Sequence, residues 1–279
     1  MRLSNEKGGD RIRREIERAK FLPSLVGYPP NITTGVTEGY EWSLSKRIEG
    51  TVLSGVWDRL SWADKAAAVK QILNIMHAVH SVEVSKIEQL TLRQAWYSAF
   101  DINESFADVE RYVTQKIFTA HQSRVFRDIL EQFYNWNQYV APVLNHGDMT
   151  TDNLLWHDGN IVSLLDFEHA AIAPRQLDLH SLVNLALVPY DEASSTDVVL
   201  MADQNPKTQQ YVEEMIQLLK PLLREQSSKA LFLGYAVLFR QRFLDFWLKD
   251  PKGELNACDA YQKLVSLLDG KGGYLSVLL

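Results

Sequence analysis

Asp148, Asn153 and Asp166 stand close together in the segments NHGDMTTDNLLW and SLLDFE, and their chemistry is complementary. Asp148 follows His146-Gly147, where glycine permits a tight backbone turn that pushes the aspartate out toward a bound substrate. A carboxylate presented in this way accepts a hydrogen bond from a hydroxyl and takes its proton as a bond to phosphorus forms. The loose transition state of that reaction asks more for positioning than for a strong base. Asn153 offers a neutral oxygen and Asp166 an anionic one, hard ligands suited to a magnesium ion bridging nucleotide phosphates. The pattern points to ATP-dependent phosphoryl transfer by direct in-line displacement, with ATP and Mg2+ as cofactors and a small-molecule hydroxyl as acceptor.

Other residues with chemical potential point elsewhere. His77 and His80 lie three apart on one helix face, but without a third ligand at matching spacing they read as packed or structural. His157, His169 and His180 are near the motif, yet nothing beside them forms a nucleophile and base pair. Phe232, Tyr235, Phe239, Phe243, Phe246 and Trp247 make an aromatic stripe at helical spacing, which reads as core.

The elements that must position the motif are mostly helical. Residues ~10–22 read as an amphipathic helix capped by Asp10 and stopped by Pro23. GYPPNITTG reads as loop, and YEWSLSKRI, residues 40–48, as a short strand ended by Gly50. Ser61 with Asp64 resembles a capping box opening a long helix whose Ala68, Ile72, Ile75, Val79 and Val82 recur at helical spacing. Further helices are expected at ~102–120, ~122–140, ~178–188, ~207–223, ~228–249 and ~257–268. VLNH, NLLWH and NIVSLLDF are brief apolar runs separated by Gly and Asp turns, small strands framing a loop. The chain thus reads as α+β, with a boundary near Glu49-Gly50-Thr51.

Composition excludes several classes. With 46% apolar and 23% charged residues in a chain of 279, this is an ordinary globular composition. The longest apolar run, LFLGYAVLF, ends at Arg240, well short of the ~20 residues of a membrane helix. The chain opens on charged residues with no apolar signal core, and Cys258 is its one cysteine, so a cytoplasmic location is expected and no internal disulfide can form. A net charge of −6 argues against a nucleic-acid partner. Oligomeric state is not legible. Residues 1–50 carry about +2, so the remainder is acidic; Asp191, Glu192, Asp197, Asp203, Glu213 and Glu214 would suit a cationic acceptor, although solvated surface carboxylates explain them equally.

HGDMTTDNLLW followed by LLDFEHA resembles the aminoglycoside phosphotransferase and choline kinase-like superfamily, whose pattern is H-G-D, four residues, Asn, then a strand ending in D-F-E. The resemblance implies a protein-kinase-like two-lobe fold, with a truncated N-lobe and hinge in residues 1–50 and a mostly helical C-lobe in 51–279. It implies that Asp148 is the catalytic base, that Asn153 and Asp166 are magnesium ligands, and that His146, Gly147, Glu168 and Asp178 support the site. Arg14-Glu15 resembles the family's R-E pair, in which the glutamate holds an ATP-binding lysine; Glu17 is the runner-up. TEGYEWSLSKRIEGTVLS resembles the strand and hinge, with Lys46, Arg47 and Ile48 lining the adenine site through their backbone. The family's acceptors include aminoglycosides, macrolides, choline and homoserine.

The amino terminus departs from that pattern. Nine residues precede Asp10, too few for the glycine-containing hairpin and lysine strand of the family. The lysine position falls near Met1-Arg2-Leu3, where Arg2 is the available cation, although its fork is not interchangeable with a lysine point charge. Gly8-Gly9 reads as the turn into the helix. Three explanations stand: a start placed too late or a fragment, a shortened but competent lobe, or a catalytically impaired kinase-like binding protein.

Overall fold

The structure, a computed structural model, describes residues 1–88, 102–184, 206–249, 255 and 259–270. The chain divides into two compact units, Met1–Ala99 with Pro142–Leu182, and Phe100–Ala141 with Val183–Leu279.

The first unit opens with β1 (Arg2–Lys7), α1 (Arg11–Ala19), β2 (Asn31–Thr37) and β3 (Tyr40–Ser45), the strands forming an antiparallel sheet in the order β1-β3-β2. Gly8, at φ +76°, makes the turn into α1 and donates its N–H to Gly39 O at 2.8 Å. Two expectations fail here. Residues 31–35 of GYPPNITTG, read as loop, belong to the strand Asn31–Thr37, because Asn-Ile-Thr-Thr pairs with β3 across the tight Glu38-Gly39 turn, where both residues have positive φ. Asp10 does not cap α1: its side chain instead meets Arg14 at 3.2 Å, and Glu41, projecting inward from β3, accepts from Ile12 N at 3.0 Å. A cap supplied from a strand 29 positions on is invisible to a local rule.

The same unit continues with β4 (Thr51–Val52), α2 (Ser54–Trp57), α3 (Trp62–His80), α4 (Val84–Glu88), β5 (Val143–Asn145), β6 (Leu154–His157), β7 (Asn160–Leu164), β8 (Ala171–Ala173) and the start of α7 (Gln176–Asn184). Strands β4-β6-β7 form one small sheet and β5-β8 another. Ser61 caps α3 as expected, accepting from Asp64 N at 3.2 Å. Ala68, Ile72, Ile75 and Val79 are buried, and α3 lays this stripe against β5 and β7. Asp158-Gly159, both at positive φ, closes the two-residue β6–β7 hairpin.

In the second unit lie α5 (Ile102–Thr114), α6 (Ala120–Asn137), α8 (Pro206–Leu219), α9 (Gln226–Leu248) and α10 (Asp259–Leu268). Thr119 and Gln122 form a capping box at the start of α6, a T-x-x-Q signal readable from the sequence but missed. Helix α9 packs on α6. The aromatic stripe divides: Phe232 and Tyr235 are core, whereas Phe243 and Phe246 are 47% and 78% exposed. Arg111, Tyr112 and Asp245 form a polar cluster between α5 and α9. Of the acidic residues named above, Asp191, Glu192, Asp197 and Asp203 lie outside the described residues, as does Cys258.

Helix α9 approaches α6 so closely at Gly234 that an added Cβ would stand 2.1 Å from the Phe133 ring. Gly234→Ala is therefore expected to destabilise the chain by about 1–3 kcal/mol despite its better helix propensity, a loss read from chemical denaturation.

Candidate functional site

The motif loop is built on the end of β5. Gly147 sits at φ +81°, and a Cβ there would lie 2.0 Å from His169 O, so both conformation and space require glycine. The loop's backbone is held from α7: Asp178, fully buried, accepts from His146 N at 3.0 Å and Gly147 N at 2.9 Å. His80 Nε2, from the end of α3, lies 2.9 Å from the same carboxylate. His80 is thus structural, and Asp178 braces the loop.

His146 is buried and uses both ring nitrogens. Nδ1 accepts from Asp148 N at 3.2 Å, which leaves Nε2 to donate to Leu165 O at 2.7 Å. One imidazole therefore links the HGD turn to the backbone just before Asp166. The Phe167 ring packs edge-on against it with centroids 4.4 Å apart.

Asp148 is partly exposed and faces Asn153. The Asn153 Nδ2 donates to Asp148 Oδ2 at 3.0 Å and Asp148 O at 2.8 Å, leaving the amide oxygen as the atom Asn153 can offer a ligand. The β6–β7 hairpin brings Leu165 N to Asn153 O at 2.8 Å, so Asn153 and Asp166, separated in sequence, start from bonded backbone. Asp166 adopts a left-handed conformation at φ 62°, a conformation uncommon outside glycine and concentrated at functional sites.

Helix α1 supplies the opposite side. Glu15 is buried and accepts from Phe167 N at 3.2 Å and from the Tyr28 hydroxyl at 2.8 Å. Glu17 instead pairs with Lys20 at the surface, which separates the two candidates for the glutamate of the R-E pair. Arg2, at the start of β1, directs Nη1 to Glu15 and Nη2 to Glu168 and, at 3.0 Å, to Asp166. Arg11 also pairs with Glu168. Burial, then the neighbouring Glu15 charge, push the Tyr28 hydroxyl far above its usual range, consistent with its role as donor. Burial lowers the His169 pKa, opposed by the Asp148 charge and reinforced by Arg11.

A cavity of about 540 Å³ opens beside this cluster, and Arg2, Glu15, Lys46, Arg47, Ile48 and Asp166 all line it, with Tyr28 and Pro29. Five residues assigned from sequence to one nucleotide site thus surround one space. Asp148 and Asn153 are not among its lining residues. The sequence reading missed Tyr28 and Arg11. Tyr28 has no local signal, whereas Arg11 sits at the helix start among other arginines and could not be singled out.

The donor set fits a hard divalent cation. Carboxylate oxygens of Glu15, Asp166 and Glu168 lie within 4.8 Å of one another, and Asn153 offers a neutral oxygen.

Removing the Asp178 carboxylate would orphan two buried backbone N–H groups at roughly 1–3 kcal/mol each. Asp178→Ala is expected to lose several kcal/mol in urea unfolding, and Gly147→Ala to lose stability as well through its clash with His169 O.

The model of the phosphotransferase enzyme family, APH, matches residues 10–204. An aminoglycoside 3'-phosphotransferase from Escherichia coli is 25% identical over 179 residues, which cover 63% of this chain and 64% of that protein. The chain therefore spans less than two thirds of the length of that curated relative. Among solved structures, the GDP complex of wild-type aminoglycoside 2'-phosphotransferase-IIIa superposes with a TM-score of 0.60 at 13% identity, covering 94% of this chain and 82% of that one. A thermostable mutant of aminoglycoside phosphotransferase APH(4)-Ia, in ternary complex with AMP-PNP and hygromycin B, gives a TM-score of 0.58 at 14% identity, covering 97% and 86%. At such identities these likenesses concern the fold, which is the protein-kinase-like one expected from the motif. Since the family match spans most of the chain and includes every residue of the HGD, Asn153 and DFE pattern, the chain belongs to the phosphotransferase enzyme family.

Proposed function

We propose that this chain transfers the γ-phosphoryl group of ATP to a hydroxyl of a small molecule. The observation that carries the reading is the convergence of Arg2, Glu15, Lys46, Arg47 and Ile48 on one cavity that Asp166 of the DFE segment also lines. In this reading residues 1–50 belong to the N-lobe and hinge and the remainder is the catalytic lobe. Asp148 is the base: it orients the acceptor hydroxyl and receives its proton, and Asn153 holds it by the amide N–H. Asn153, through its oxygen, and Asp166 would hold Mg2+, which when bound neutralises charge developing between the β- and γ-phosphates. His146, Gly147 and Asp178 fix the loop, while Glu168 orders the arginines. The names of the relatives make aminoglycosides the first acceptors to assay, with metabolite alcohols next.

A second reading, a kinase-like protein that binds nucleotide without turnover, draws on Arg2 standing among the carboxylates where the family uses lysine. The two part on one assay. Phosphate transfer from labelled ATP to an aminoglycoside and metabolite panel is expected for the wild-type chain, and no transfer with retained AMP-PNP binding would favour the second reading. Asp148→Ala is expected to lower kcat by roughly 100- to 10 000-fold while AMP-PNP affinity stays within about twofold. Full turnover in that variant would remove Asp148 from the role. Asp166→Ala is expected to weaken AMP-PNP binding in the presence of Mg2+, measured by calorimetry.

A further inference from the structure

Arg2 makes a different set of contacts from those of a simple phosphate-binding cation. Its two terminal nitrogens span three carboxylates: Nη1 reaches Glu15, and Nη2 reaches Glu168 and Asp166. The same three residues form the compact acidic group of the site, with one carboxylate oxygen of each lying within 4.8 Å of the others. A lysine ammonium is one compact charge, whereas the planar fork of arginine can engage several acceptors in fixed directions. Arg11 adds a second guanidinium on the other oxygen of Glu168. Three carboxylates then face two guanidinium groups, which leaves the cluster one negative charge in excess.

We infer that Arg2 is an internal competitor for the divalent cation: its guanidinium bridges Asp166, Glu168 and Glu15 before the metal arrives, and must leave Asp166 for the metal to bind. The inference rests on reading Asp166 as a metal ligand. The exchange needs no covalent step; an Asp166 oxygen that accepts from Arg2 is given over to the cation, and the displaced guanidinium turns its N–H groups to anionic oxygens in the cavity that it already lines. The 38% exposure of the Arg2 side chain leaves it room to move, whereas Glu15 and Glu168, at 3% and 9%, stay in place. Metal and nucleotide should accordingly bind together more tightly than either alone, since phosphates provide the released guanidinium with new acceptors.

The test is Mn2+ binding to the nucleotide-free chain, followed by loss of the free-ion electron paramagnetic resonance signal. Arg2→Met is expected to bind Mn2+ more tightly than wild type by roughly five- to a hundredfold, the span of ordinary coupling between sites. Arg2→Lys, which keeps the charge but not the fork, should fall between the two and serves if the methionine variant does not fold. Asp166→Asn should abolish the gain in the Arg2→Met background. Equal or weaker Mn2+ binding in both Arg2 variants overturns the inference, as does a gain that survives Asp166→Asn or the absence of Mn2+ binding in every variant. These titrations contain neither ATP nor acceptor, so a chain that shows the competition but no phosphate transfer refutes the enzymatic reading alone. A chain that transfers phosphate with no effect of Arg2 on Mn2+ refutes the competition alone.

Discussion

The carboxylate of Asp178 is the constraint from which the site is assembled. A fully buried aspartate is costly unless its oxygens are satisfied, and here two backbone N–H groups of the HGD turn and the imidazole of His80 satisfy them. The same bonds fix the end of β5 against the first turn of α7 and the last turn of α3. Three elements far apart in sequence are thereby set around one turn, and Asp148 emerges from it in a single direction. His146 extends the arrangement by one step, since the nitrogen that accepts from Asp148 N determines which nitrogen donates to Leu165 O.

The second half of the site depends on Glu15. This buried carboxylate receives the Phe167 N–H, the Tyr28 hydroxyl and Arg2, so helix α1 is joined to the DFE segment by polar bonds as well as packing. Such a network is stable only when every member is satisfied, and removal of one partner leaves a buried charge exposed to its neighbours. The left-handed backbone of Asp166 lies between the two halves, held by the hairpin on one side and by Arg2 on the other. Local strain of this kind persists where surrounding bonds over-determine it, and concentrates where ligands bind.

Much of this was legible residue by residue. The H-G-D turn, the Asn five positions on and the Asp-Phe-Glu strand end are short-range patterns, and each was readable because local backbone geometry and side-chain type restrict one another. Helix α3 and the Asp158-Gly159 hairpin were legible for the same reason, through a 3.6-residue apolar period and Gly and Asp turns. The cap of α1 was misassigned because Glu41 reaches it from a different strand, and Asn31–Thr37 was missed because an edge strand with little burial carries no alternating apolar pattern.

The sequence by itself determined the chemistry available at the site: a carboxylate on a glycine turn, an amide and a second carboxylate with hard oxygen atoms, and a cation near the start of the chain. Which of these groups meet was decided only by the tertiary structure. Glu15 was separated from Glu17 by the direction of a helix face, Asp178 was brought to the two backbone N–H groups of the HGD turn that it supports, and Arg2 was placed across three carboxylates from distant parts of the chain. The reason is physical. Side-chain type sets what a group can donate, accept or neutralise, but ion pairs and buried hydrogen bonds depend on distances of a few ångströms between residues that only the folded chain brings together.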